Sequence, residues 1–226
     1  MKLNTILNFL TELELNNNRD WYHANKQKLQ QANQTFNELI GHLILKLGET
    51  DSSIPLLDPK DLTFKLVRDT RFSHDKSPYN PAFRAHISSK GKLPIPVGYY
   101  IMIKPGNRSF LGGGLFADIF KDATTLIRDY IVSHGEEWQQ ITSAPTFRET
   151  FTVKGSTLKN VPKGYDPTHP LAEYFKYKSW FLEYPIMDKQ LLEADFVSFS
   201  SAIFEKMQPF NAFLNKALEG FDIPMR

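Results

Sequence analysis

The apolar side chains of this chain change their spacing after about residue 60, and that change constrains the fold more than any other feature. In residues 1–50 they recur at helical spacing, as Leu3, Ile6 and Leu7 illustrate, and this pattern predicts amphipathic helices. In residues 62–115 apolar and polar side chains alternate, which is typical of half-buried strands. Consecutive strands with short connections favour an antiparallel meander over parallel βαβ units.

The same patterns assign most of the remaining chain. Helices are predicted at residues 3–13, 19–47, 117–133, 136–142 and 189–218, with a bend or restart near Pro209 in the last. Strands are predicted at residues 62–67, 83–88, 98–104, 109–115, 147–153 and 180–187, with a hairpin turn at residues 105–107. We therefore expect one globular domain, residues 1–226, of class α+β. Its antiparallel, meander-like sheet of about five to six strands should be covered by helices from both termini.

The composition excludes several classes of site. The chain contains no cysteine, so it has neither disulfides nor thiolate metal ligands. Its six histidines form no HxH or HxxxH pair, and we predict no metal site. The hydrolase signatures GxSxG and HExxH are absent, and the sequence leaves any cofactor unidentified. No apolar run approaches the roughly 18 residues of a membrane span, and the first residues lack the features of a signal peptide. We therefore expect a soluble, cytoplasmic protein with no membrane partner.

The charge is unevenly distributed along the chain. The whole chain carries a net charge of +2, yet residues 60–108 hold ten lysines and arginines against three aspartates, which makes that segment +7 and the remainder −5. A positive region on a nearly neutral protein favours attraction for one anionic ligand over general adhesion to polyanions.

The segment at residues 68–79 is dense in ionisable groups. It holds three permanent cations, two carboxylates and one imidazole. Arg68 continues the alternation of the preceding strand and is expected to point toward the buried side, where a guanidinium needs a carboxylate or phosphate partner. Arg71 and Lys76 are expected to project from a loop, where they can bind an oxyanion. This density predicts a binding or reaction site.

The leading hypothesis is a basic pocket that binds a small anionic ligand, phosphorylated or carboxylated. The predicted ligand-binding residues are Arg68, Arg71, Lys76, Arg84 and Lys163, which supply charge, and Tyr79 and Tyr99, which supply hydroxyl groups. His86 lies on the same strand face as Arg84 and can join them. If the protein is an enzyme, Asp69 or His74 is the expected proton carrier.

Two other hypotheses remain open on the same residues. In one, the protein is a nucleic-acid or protein interaction module in which Tyr99, Tyr100 and Phe110 form a stacking platform beside the basic segment. In the other, the arginines and aspartates of residues 68–79 are structural ion pairs. The run at residues 112–114, three consecutive glycines, also has two interpretations. It is a phosphate cradle at a helix N-terminus, or it is a bulge or a site of close sheet–helix packing. The second interpretation is favoured because no phosphate-loop signature surrounds the glycines.

Several short motifs together resemble one family of proteins. They are Asn17-Asn18-Arg19-Asp20-Trp21, Arg68-Asp69-Thr70-Arg71-Phe72 with Lys76 and Pro78-Tyr79, Gly98-Tyr99-Tyr100, Gly112-Gly113-Gly114, Arg128 and Pro162-Lys163-Gly164-Tyr165. In these motifs the chain is similar to the bacterial and fungal family known as domain of unknown function 2461, and the similarity covers nearly the whole chain. The resemblance implies a soluble single-domain protein in which these positions recur, and it supplies no activity, substrate or catalytic residue.

Overall fold

The structure, a computed structural model, describes residues 1–224. Its helices, in chain order, are α1 (Asn4–Leu15), α2 (Arg19–Ala24), α3 (Lys26–Thr50), α4 (Pro59–Leu62), α5 (Lys121–Ser133), α6 (Gly135–Ser143), α7 (Pro145–Arg148), α8 (Ala172–Phe175), α9 (Asp188–Leu191) and α10 (Phe196–Ala217). Its strands are β1 (Phe83–Ile87), β2 (Gly98–Ile103), β3 (Ser109–Leu115) and β4 (Trp180–Ile186). The fold class is therefore α+β, as the change in apolar spacing predicts.

The four strands form one antiparallel sheet in the order β1-β2-β3-β4. The predicted hairpin turn joins β2 to β3, and in it Gly106 and Asn107 adopt left-handed backbone angles, with φ of 80° and 59°. Glycine and asparagine are the residues that tolerate such angles best. Strand β4 pairs with β3 although helices α5–α8 lie between them in the chain. The sheet is thus a meander whose last strand returns after a long helical excursion.

The prediction of about five to six strands is not confirmed, because the sheet has four strands in the part of the chain that the structure describes. Residues 147–153 contain the end of α7 and a helical turn, in which the amide of Phe151 donates to the carbonyl of Phe147 at 2.7 Å. Both phenylalanines are buried. Residues four apart share a face in a helix and also in a strand, so their burial fits both.

The segment at residues 62–67 was also predicted as a strand, and it meets its neighbours only at isolated points. Thr63 bridges to Ala85, and Val67 bridges to Tyr79. These bridges hold the segment beside β1 without extending the sheet. The bridge between Val67 and Tyr79 also joins the two ends of a loop, and this loop contains the charged segment noted above.

Two of the predicted helices are each divided in two, and the helix predicted at residues 117–133 begins at Lys121. The helix predicted at residues 19–47 is divided at Asn25 into α2 and α3, and its start is capped as expected, since the Asn18 side chain accepts from the amide of Trp21 at 2.9 Å. Helix α10 continues through Pro209, and the break in this region falls earlier, between α9 and α10. Within residues 1–224, no helix is both long enough and apolar enough to cross a membrane.

Helices α3 and α10 cover one face of the sheet, and the core lies between them. Gly113 faces α10 so closely that a Cβ atom there would lie 3.0 Å from Asn211 Oδ1. Asn211 in turn donates to the carbonyl of Gly98 at 3.1 Å. Close sheet–helix packing at the three glycines is therefore confirmed for Gly113. Because successive strand residues point to opposite faces, the neighbours of these core-facing residues lie on the other face of the sheet. We call this the outer face.

Candidate functional site

A row of side chains crosses the outer face of the sheet at one level. The strand registers place His86 opposite Tyr100, Tyr100 opposite Gly112, and Gly112 opposite Glu183. Neighbouring strands lie about 4.8 Å apart, so this row spans roughly 14 Å from β1 to β4. An imidazole and a carboxylate therefore stand at opposite ends of a row whose centre contains a phenol and a gap.

The gap at Gly112 is filled by an aromatic ring from the segment after β3. A Cβ atom on Gly112 would lie 2.8 Å from Phe116 Cζ, so the absence of a side chain allows Phe116 to lie on the sheet. The Phe116 ring stacks on Phe181 with centroids 4.5 Å apart and lies 5.3 Å from Tyr100. Tyr100 also stacks on Phe110 at 5.6 Å. The centre of the outer face is thus a set of packed, half-buried aromatic rings.

These rings line a cavity of about 450 Å³, which we call the sheet-face pocket. Its walls include the rings of Phe64, Tyr100, Phe110 and Phe116 and the polar side chains of His86, Lys92 and Glu183. Small-molecule sites are commonly concave, mostly apolar, and about 300–1,000 Å³ in volume, with a few polar groups that orient the ligand. The sheet-face pocket fits that description.

Arg84 adjoins the sheet-face pocket and is the predicted site residue that the structure brings there. It lies on the pocket side of β1, and its guanidinium carbon is 5.4 Å from the centroid of the Phe64 ring. One guanidinium nitrogen donates to the carbonyl of Lys65 at 3.3 Å, whereas the buried Nε has no hydrogen-bond partner. No ion pair within residues 1–224 includes Arg84. The positive charge beside Tyr100 opposes the effect of burial, which raises the pKa of that phenol.

His86 contributes a neutral imidazole to the same end of the pocket. The residue is 6% exposed. Burial lowers the pKa of His86 to about 4, although the backbone at Gly91 and Leu93 acts in the opposite direction. Near neutral pH this side chain therefore offers hydrogen bonds without a positive charge, and the positive charge of the pocket comes from Arg84 and Lys92.

Glu183 supplies a carboxylate at the opposite end, on β4. Its Oε2 accepts from Lys154 Nζ at 2.8 Å, and its side chain is 28% exposed. Among the hydrogen bonds of residues 1–224, none involves Oε1 of Glu183. The pocket thus has Arg84 on its β1 side and a hydrogen-bond acceptor on its β4 side.

The charged segment at residues 68–79 satisfies most of its charges internally. Arg68 pairs with Asp75 and also donates to Ser73 Oγ at 3.2 Å. Arg71 donates to the carboxylate of Asp69 through two nitrogens, Nε and Nη2, and Nη2 lies 2.7 Å from Oδ2. The pKa of Asp69 is lowered by its hydrogen bonds with Arg71. Each predicted arginine of this segment therefore already has its own carboxylate partner.

The other charged groups of the segment lie at its surface. Lys76 Nζ donates to the carbonyl of Thr70 at 3.1 Å, and His74 is exposed. Hydrogen bonds with Ser77, and then with Arg68, hold the pKa of Asp75 below its usual range. The roles of Asp69, His74, Arg68, Arg71 and Lys76 in binding or catalysis stay predictions. In this structure Asp69, Arg68, Arg71 and Lys76 interact within their own loop.

The remaining predicted site residues lie apart from the sheet-face pocket. Tyr99 is 1% exposed on the core face of the sheet, where its hydroxyl donates to Asp51 at 2.6 Å and burial raises its pKa. Tyr79 is buried, with its ring stacked on Tyr22 at 3.8 Å. Lys163 is exposed in the polar connection before α8. A ligand could use Tyr99 only by displacing Asp51, and all three assignments stay predictions.

A second cavity, of about 560 Å³, lies near the start of α6. Its two imidazoles form local hydrogen bonds, since His134 Nδ1 pairs with Ser133 Oγ at 2.9 Å and His169 Nδ1 accepts from the amide of Leu171 at 3.0 Å. Most of its wall consists of exposed helix surface. The sheet-face pocket is the better candidate because half-buried rings line it and a guanidinium without a carboxylate partner, that of Arg84, adjoins it. In residues 1–224 no group of three or more His, Asp or Glu side chains could hold a metal ion.

Comparison with known families relates this architecture to other proteins. The model of the family described as conserved hypothetical protein (DUF2461) matches residues 5–213. The chain belongs to this family. The match includes every strand of the sheet and every residue named above for the sheet-face pocket, so the DUF2461 region contains the complete candidate site. No curated protein and no solved structure matches the chain.

Proposed function

We propose that this DUF2461 protein binds a small anionic ligand with a flat, apolar body in the sheet-face pocket. The observation that carries the proposal is Arg84, a partly buried guanidinium with no carboxylate partner that lies beside Phe64, one of the rings in the wall of the cavity. An anion that accepts from the terminal guanidinium nitrogens of Arg84 would gain a charge-assisted hydrogen bond. Lys92 adds a second positive charge to the lining of the pocket.

The rings support a flat ligand body. Tyr100, Phe110 and Phe116 present half-buried faces and edges, and aromatic surfaces stack favourably on planar ligands. A phosphate or carboxylate attached to such a body would lie near Arg84 while the body covers the rings. This arrangement keeps the phosphorylated or carboxylated ligand expected from the sequence and uses Arg84 as its main cation.

The alternative of a nucleic-acid interaction module receives support from one observation. Tyr100 and Phe110 lie side by side on the outer face, as a stacking platform requires, although Tyr99 points to the core. Long single strands need a continuous positive groove along several stacked rings. The small size of the cavity and the net charge of +2 favour a single small ligand.

Calorimetric titration with 1-naphthyl phosphate and 1-naphthoate tests the proposal, because both ligands join a flat apolar body to one anionic group. We expect both to bind the wild-type protein and to bind Arg84→Met about tenfold or more weakly, since a charge-assisted hydrogen bond is lost. Arg71→Ala is the matched control. It removes an exposed arginine that pairs with Asp69 and is expected to leave the affinity unchanged.

The outcomes separate the hypotheses. Weaker binding in Arg71→Ala with normal binding in Arg84→Met would favour a site in the charged loop and would overturn the sheet-face proposal. Absence of binding by wild-type protein to both ligands would also overturn it. Salt-sensitive binding of a single-stranded oligonucleotide that exceeds binding of both small ligands would favour the interaction module.

A further inference from the structure

The ends of the sheet-face pocket differ in hydrogen-bonding character, and this difference restricts the ligand. Resting on the function proposed above, we infer that the ligand is a mononucleotide-like molecule. Its flat heteroaromatic ring carries an N–H group that donates to Glu183, and its anionic group lies at the Arg84 end. A naphthalene ring with an attached anionic group would stack on the aromatic rings and pair with Arg84. It would leave the carboxylate of Glu183 without a hydrogen-bond donor from the ligand.

Glu183 is the group that selects a ligand whose ring carries an amino N–H. Its Oε2 is engaged by Lys154, while no hydrogen bond of the described residues involves Oε1. Lys154 also compensates the negative charge of Glu183, so a neutral N–H donor suits the site better than a second full cation. Carboxylates accept from the exocyclic amino groups of bases in this way.

The spacing of the row agrees with an elongated ligand. His86 and Glu183 stand on the two outer strands, roughly 14 Å apart between backbones at about 4.8 Å per strand. A mononucleotide places its base and its phosphate at opposite ends of one molecule, with the base free to stack on Tyr100 or Phe116.

His86 fits the same ligand as a neutral hydrogen-bonding group. It lies directly across from Tyr100 in the row and lines the pocket. An imidazole without charge adds no further ion to a confined space. The pocket therefore combines a cation for the phosphate, rings for the base and an acceptor for the base N–H.

The affinity ratio between two ligands tests the inference. Adenosine 5′-monophosphate and 1-naphthyl phosphate share a flat body and a phosphate, but only the nucleotide has an amino N–H. We expect the nucleotide to bind wild-type protein about tenfold more tightly. Glu183→Met should lower that ratio to about one, chiefly by weakening the nucleotide. The same substitution should leave 1-naphthyl phosphate unchanged or slightly tighter, because a negative charge near an anion is removed.

Lys154→Gln is the matched control, since it breaks the same ion pair and keeps the carboxylate. It should change the affinity for both ligands in the same direction and preserve their ratio. Because the readout is a ratio, a general loss of stability in a variant does not imitate the expected result. Adenosine, which lacks the phosphate, should bind about tenfold or more weakly than its monophosphate.

Each result is decisive. A wild-type ratio near one, or a ratio that Glu183→Met leaves intact, overturns the nucleotide inference while the proposed function stands, provided that 1-naphthyl phosphate binding depends on Arg84. If neither ligand binds the wild-type protein, the proposed function fails and this inference fails with it. A ratio that Lys154→Gln abolishes as fully as Glu183→Met does would assign the discrimination to the ion pair and overturn the role of Glu183.

Discussion

Acidification is expected to destabilise the protein through His86, the buried imidazole of the sheet-face pocket. Its pKa is lowered by burial from the ordinary value of 6.5 to about 4. The unfolded chain therefore binds a proton at this residue below pH 6.5, whereas the folded protein does not bind it until about pH 4. Because the unfolded state binds more protons in that window, stability falls as the pH falls through it and the loss is complete near pH 4.

The size of the effect follows from the difference between the two pKa values. Each tenfold difference in proton affinity is worth about 1.4 kcal/mol, so lowering the pKa from 6.5 to about 4 removes roughly 3 kcal/mol between neutral pH and pH 4. That is a substantial part of the stability of a typical domain, which is about 5–15 kcal/mol. His86→Gln removes the titration while keeping a polar side chain of similar size.

Urea unfolding at several pH values between 7 and 4 measures the effect as the difference between wild type and His86→Gln. Wild type is expected to lose about 1.4 kcal/mol per pH unit relative to the variant below pH 6.5. His74→Gln, at an exposed position, should follow wild type. Carboxylates also titrate in this range, but they are common to all three proteins. Parallel curves for wild type and His86→Gln would refute the reasoning.

Two further substitutions test the packing on either face of the sheet. Gly112→Ala introduces a Cβ atom 2.8 Å from Phe116 Cζ, and we expect the Phe116 ring to be displaced at a cost of about 1–3 kcal/mol in urea unfolding. The same variant should bind 1-naphthyl phosphate more weakly, and unchanged binding would show that Phe116 is not part of the site. Tyr99→Phe removes the hydroxyl that donates to buried Asp51, which should cost about 1–3 kcal/mol. An unchanged unfolding free energy would contradict that role.

The parts of the fold that the sequence predicts best are those with one dominant period. The structure contains the predicted N-terminal helices and the predicted β2–β3 hairpin, because a single apolar period runs through each of these segments. The prediction of a strand at residues 147–153 was wrong because Phe147 and Phe151 share a face both in a strand and in a helix. Pro145, at the start of α7, favours the helix because proline suits the first turn of a helix. Local periodicity cannot determine strand number where the apolar residues are so sparse.

The candidate site was less predictable, for a physical reason. A segment dense in charge contains both signs, so Arg68 and Arg71 find their carboxylates within a few residues and become ion pairs. Arg84 differs because its strand neighbours are apolar or aromatic and supply no acid. Glu183 reaches the site only through the pairing of β4 with β3, a long-range register that no local pattern reveals. Strand alternation did place Arg84 and His86 on one face.

The three consecutive glycines allow close packing on both faces of the sheet. Because successive strand residues point to opposite faces, Gly113 lies toward α10 while Gly112 lies beneath Phe116. On one face, Asn211 packs closely on Gly113 and its hydrogen bond to Gly98 holds α10 to the sheet. On the other face, Phe116 packs on Gly112 and forms part of the pocket wall. Gly114, with φ of 95° and the carbonyl of Trp180 nearby, also excludes a side chain. A single glycine would accommodate either the helix or the ring, and a strand that must accommodate both requires glycine at two adjacent positions.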